Sequence, residues 1–216
     1  MMCVGAAAMR LAADDSRTGF GKRILQWART NAASGQPFDV PMFLKFGGID
    51  AEFLWLRTRI RKGAYRFSIE EFDDFAREAV SCYGRFLDGL TEVMDRRCLR
   101  ICAAYPAVID DAHWVDVYTA MHRVSDRAFI ASELAKIEIP DRSMRTRLRR
   151  LFNEHLQEMC RAKSLAFVDD FSPFVDQSGE TDELCYARYR GRNFHIDYAE
   201  SEDRMVKVID AHLDIG

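Results

Sequence analysis

A chain of 216 residues, 48% of them apolar, can build one sizeable domain with a real core, or one domain carrying an insertion. Its net charge of −3 argues against nucleic acid or an anionic membrane surface as the main partner. No stretch approaches the ~18 consecutive apolar residues of a spanning helix, so no segment is expected to cross a membrane.

Residues 2–8 are small and apolar but have no basic stretch ahead of them, a poor signal peptide. They are expected to form a strand interrupted at Gly5. After a polar, turn-like segment, Thr18 can cap a helix with Phe20, Ile24, Trp27 and Ala28 on one face. Ser34-Gly35-Gln36-Pro37 ends it. The stretch from Val40 to Asp50 (VPMFLKFGGID) organises the rest. Its apolarity is continuous, which predicts a strand covered on both faces, as in a parallel sheet. Ligand crevices in such sheets lie beyond the carboxyl ends of the strands. At that end Gly47 would let backbone approach a ligand closely, and Asp50 would stand at the rim.

Phe53, Leu56 and Ile60 fit a short helix whose last turn carries Arg57, Arg59, Arg61 and Lys62 before a Gly63 C-cap. Ser68 and Glu71 form a capping box, with Phe67 and Phe72 at staple spacing. The long helix they open keeps Ile69, Phe72, Phe75, Ala79, Tyr83, Phe86, Leu90 and Val93 on one face. Residues 98–104 read as the next strand, stopped by Tyr105-Pro106. Residues 106–139 show no clean period beyond a helix expected near Arg127 to Lys136, and read either as a lid or insertion or as a plain surface excursion. Asp141 or Ser143 opens a helix with Met144, Leu148, Leu151, Leu156 and Met159 inward. Residues 165–169 form a short strand ending in Asp169 and Asp170. A loop leads to His195, and a last helix places Met205, Ile209 and His212 or Leu213 on its face. Alternating strands and helices predict a single α/β domain over 1–216, a three-layer α/β/α sandwich with a mostly parallel sheet of about four strands.

His195 follows the last strand by a loop, where a neutral imidazole could accept a proton from a hydroxyl nucleophile. It is equally readable as a surface or core histidine with a satisfied hydrogen bond. Asp50, Asp169 and Asp170 fall at strand ends, where carboxylates orient a histidine, bind a sugar hydroxyl or cap the next helix. The run Arg142, Arg145, Arg147, Arg149 and Arg150 offers a phosphate site or, more simply, a solvated face beside Glu154 and Glu158. Six cysteines and the histidines His113, His122 and His155 lack metal spacing, so neither metal nor cofactor is expected. Buried free thiols fit a cytoplasmic, reducing compartment.

Phe46-Gly47-Gly48-Ile49-Asp50 resembles the third conserved block of the SGNH/GDSL hydrolase superfamily, in a branch with an aliphatic residue in place of Asn. Val4-Gly5-Ala6 with Ser16-Arg17-Thr18-Gly19 is similar to the second-block region, RLRRLFNEHL to the penultimate helix, and FVDDFSPFVD to the last strand and loop. The resemblance implies a flavodoxin-like sheet and a serine esterase or acyltransferase acting on O-acyl esters, of carbohydrate among others. It places His195 as the catalytic base, with Gly5 and the Gly47-Gly48 loop at the oxyanion. The departures are as informative. The family's Gly-Asp-Ser turn is missing, and the nearest string, Asp14-Asp15-Ser16, stands well past the candidate strand end. The acid three residues before the histidine is replaced by Arg192, with Asn193 beside it. A strand bearing the serine is therefore expected upstream of Met1. The alternative is a non-catalytic relative that binds a glycan or a protein. Loss of a central strand would expose sheet edges and favour marginal stability or homo-oligomers.

Overall fold

The backbone around Ala8 does not continue a strand but turns as a 3-10 helix, Ala8–Arg10. The computed structural model describes residues 7–13, 16, 19–35, 40–122, 124–186, 191–192, 195–196 and 198–213; Gly5, Thr18 and most of the first predicted strand lie outside them. Helix α1 (Phe20–Ala33) starts from Gly19, which is left-handed at φ 59°. Its buried face is Gly21, Ile24 and Ala28, and Trp27, predicted inward, is exposed. Gly21 sets this rotation: a Cβ there would lie 1.8 Å from the Leu11 carbonyl oxygen, so the backbone of Leu11 crosses the helix at the one residue without a side chain.

Strands β1 (Met42–Lys45), β2 (Leu99–Cys102) and β3 (Ala166–Val168) form a parallel sheet in that order. Lys45 stands opposite Cys102, and Cys102 opposite Val168, so all three strands end level. The fold is thus mixed α/β around a smaller sheet than predicted, three strands among the described residues. Leu44 and Ile101 face a core built with α3 (Ile69–Thr91) and α6 (Arg142–Ala162), where Phe72, Tyr83, Phe86, Phe152 and Leu156 are buried. Side chains alternate along a strand. Arg100 accordingly points to the other face and donates from Nε to the His212 carbonyl at 2.9 Å, just past α7 (Tyr198–Asp210).

The N-cap of α1 is Gly19, with no side-chain cap, in place of the predicted Thr18, whereas the caps predicted at three other helix ends are present. Ser68 Oγ accepts the Glu71 amide at 3.1 Å, Asp141 Oδ1 accepts the Met144 amide at 2.8 Å, and Gly63 closes α2 (Trp55–Lys62) in the left-handed region. Phe67 and Phe72 are joined through Trp55, whose ring meets theirs edge-on at 5.7 and 5.1 Å. Residues 106–139 contain α4 (Asp111–Ala120), which the sequence did not show, and α5 (Arg127–Leu134), at the helix expected near Arg127 to Lys136. With α2 these bury a second apolar cluster that includes Phe53, Leu56, Trp114, Tyr118, Ile130 and Leu134. α7 is rotated from the prediction. Ser201 is buried, Met205 reaches Tyr105 and His212 reaches Arg100, while Ile209 and Leu213 are exposed.

Candidate functional site

Three parallel strands ending level place their last side chains on one edge, and that edge carries an unusual group of polar residues. Lys45 ends β1. Its Nζ donates to the Ala103 carbonyl and to Asp170 Oδ2, both at 2.5 Å, and lies 3.2 Å from the centre of the Tyr105 ring. One ammonium thereby joins the ends of β1 and β2 to the turn after β3. Burial lowers the Lys45 pKa and raises that of Asp170, and the contact between them opposes both shifts. The Cys102 thiol beside them is pushed up to about 12, chiefly by burial. Asp170 Oδ1 is buried without a hydrogen-bond partner among the described residues.

The residues expected at the crevice divide. Asp50 does not stand at a rim. It is fully buried in a π-helical turn, Asp50–Leu54, and its two oxygens accept the Ala8 and Met9 amides at 2.6 and 3.0 Å. A carboxylate at the start of a short turn satisfies amides that have no partner within it, which is why Asp50 turns inward. Gly47, at φ 109°, is required by its own core: a Cβ would lie 2.3 Å from Phe152 Cε1. Gly48 has open space around it. Asp169 caps its own turn, accepting the Phe171 and Ser172 amides at 3.1 and 3.0 Å. Gly5 is outside the described residues.

His195 is exposed, next to Ile196, which is buried with Val108, Phe174 and Cys185. Partial burial lowers its pKa, so the imidazole is neutral at physiological pH. Tyr105 connects the two regions, edge-on to Phe174 at 5.5 Å and under Lys45 on its face. Arg192, in the place where an acid was sought, turns instead to His113 Nε2 at 3.3 Å.

A second buried network supports this edge from below. Glu52 accepts Trp114 Nε1 at 2.6 Å and is paired with Arg149 and Arg145. Burial raises the Glu52 pKa, but the two guanidinium groups outweigh it and the net direction is down. Arg149 also donates to the Tyr105 and Pro106 carbonyls, and Arg145 to those of Ile109 and Pro140. Two members of the predicted solvated arginine face are therefore buried clamps on the segment that leaves β2. A groove of about 180 Å³ lies beside β3, lined by Arg150, Asn153, Gln157, Phe167, Asp169 and Phe171 among others.

Sequence reasoning passed over Lys45, Tyr105 and Glu52. A signal existed for Lys45: it is the one charge inside an otherwise apolar strand, and a lysine there needs a partner. Nothing in sequence paired it with Asp170, a residue 125 positions away. No known protein family, curated protein or solved structure matches the chain.

Proposed function

We propose that the chain is a divergent SGNH-like domain, a three-layer α/β/α sandwich with a fourth strand, whose carboxyl-edge crevice takes an O-acyl ester, of carbohydrate among others. The observation that carries this reading is the convergence at one sheet edge. Lys45 and Cys102 end β1 and β2, Asp170 stands in the turn just past β3, and Tyr105 packs on the cluster of Phe174 and Ile196, next to His195. That edge is where parallel sheets bind ligands. In this reading His195 is the general base, Gly48 supplies open backbone near the acyl oxygen, and Gly5 with Gly47 completes the oxyanion site. The test is hydrolysis of p-nitrophenyl acetate by the full-length protein. His195→Ala should lower kcat/KM by about 100-fold or more while leaving the thermal melt nearly unchanged. An unaltered rate would overturn the catalytic role.

Arg192 favours a second reading, the same crevice without acyl transfer. Its guanidinium engages His113 at the point where the hydrolase reading needs an acid to orient the imidazole. A protein that binds acetylated oligosaccharides by calorimetry yet never hydrolyses them would establish this reading, and one that does neither would remove both.

A further inference from the structure

Three carboxylates follow the strands closely, and their hydrogen bonds tell them apart. Asp50 is saturated by the Ala8 and Met9 amides, one on each oxygen. Asp169 is saturated too: Oδ1 accepts the Phe171 and Ser172 amides, and Oδ2 accepts the Ser172 hydroxyl at 2.5 Å. Asp170 is not. Its Oδ2 accepts from the Lys45 ammonium at 2.5 Å, while Oδ1 has no hydrogen-bond partner among the described residues. The side chain is only 4% exposed, so bulk water does not serve that oxygen either. Lys45 has no proton to spare for it. Nζ also donates to the Ala103 carbonyl and lies on the face of the Tyr105 ring, which together with Asp170 Oδ2 account for the three protons of an ammonium. A buried carboxylate oxygen without a donor is unfavourable, and native structures keep few of them.

We propose that Asp170 Oδ1 is the acceptor for a hydroxyl group of the bound ester, which makes Asp170 the residue that selects glycerol- or sugar-like esters over plain alkyl esters. The inference rests on the reading of this edge as an ester-binding crevice and names one contact within it. The acceptor stands just past the carboxyl end of β3, where ligands of parallel sheets bind. The Lys45 ammonium beside it repels a cationic donor, so a neutral one is favoured. The group opens to solvent through Lys45, whose side chain is 30% exposed, and this gives a donor as small as a hydroxyl an approach. Because Lys45 pins Oδ2, Oδ1 is already in place when the ligand arrives, and the bond needs no reordering of the side chain. An ester lacking the hydroxyl leaves the oxygen buried and unpaired, which discriminates more strongly than apolar fit.

Paired esters of one acid test this on the full-length protein. Glycerol 1-acetate and propyl acetate share the acyl group and the carbon chain and differ only in hydroxyls. The ratio of their kcat/KM values, divided by the same ratio for alkaline hydrolysis, should be about 10 to 100 in the wild type. Asp170→Asn keeps an oxygen for Lys45 but puts an amide nitrogen in place of the free acceptor, and should bring the corrected ratio close to one. Asp170→Glu, which moves the acceptor while keeping the charge opposite Lys45, should lower it as well. A wild-type ratio near one would overturn the proposal without any variant having to fold, and so would a ratio that both substitutions leave unchanged. Failure of the esterase reading looks different: neither p-nitrophenyl acetate nor either ester is cleaved. Saturation-transfer NMR then decides, because glycerol 1-acetate should still bind the wild type better than propyl acetate and lose that advantage in Asp170→Asn. Equal binding of the two esters, or none, would overturn the proposal together with the esterase reading.

Discussion

The Ala8 and Met9 amides pull the pKa of Asp50 down, yet burial outweighs them and raises it from 3.8 to about 6. Since the folded value is the higher one, the contribution of Asp50 to stability is complete below the unfolded pKa and is lost as pH rises through about 6. A shift of this size corresponds to roughly 3 kcal/mol. Urea unfolding of wild type and Asp50→Asn between pH 3.5 and 7 checks it: the wild-type advantage should shrink by about that amount across the range. A difference independent of pH would show that Asp50 titrates normally. The Gly47-Gly48-Asp50 corner was legible as a site of special backbone, because glycines after an apolar run have few other uses. Its orientation was not legible, because what requires Gly47 is the ring of Phe152, a residue from a distant helix.

Between elements, the decisive contacts are buried charges whose partners lie far apart in sequence. Glu52 belongs to the π-helical turn before α2, while Arg145 and Arg149 project from α6 and Trp114 from α4. Removing one member of such a group leaves the others charged and unpaired, which costs about 3–5 kcal/mol. Glu52→Gln should therefore destabilise the fold by that order in equilibrium denaturation. Replacing Glu52 together with both arginines by apolar residues of similar volume should cost less than the single change. The same ion group gives stability that is present above the ordinary glutamate pKa and falls away in acid, the opposite trend to Asp50. Helices with one apolar stripe and a side-chain cap, α3 and α6, were readable directly, because period and cap agree. α5 was readable only as a possible helix and α4 not at all, because each is apolar beyond its buried face: Val115 and Phe129 are exposed while Trp114 and Ile130 are buried. The arginine run misled for a related reason. Charge spacing on a helix predicts a wet face unless a carboxylate such as Glu52 is delivered from elsewhere.

Among the described residues there are three apolar clusters, one between the sheet, α3 and α6, a second among α2, α4 and α5, and a small third around Val108, Phe174, Cys185 and Ile196. The second is smaller and is tied to the first by the Glu52 network, so it is the natural unit of partial opening. Hydrogen exchange should show the α4 and α5 amides exchanging earlier than those of α3, and equal protection would argue for a single cooperative core. Lys45 has a consequence of a different kind. Its ammonium gathers residues 58 and 125 positions away into one contact, so it cannot close until all three strands are aligned. Ordering long loops is entropically uphill and is recovered only when the distant partners arrive. The mouth of the sheet is thus expected to be completed late in refolding, and the same ammonium that shapes it holds back its completion.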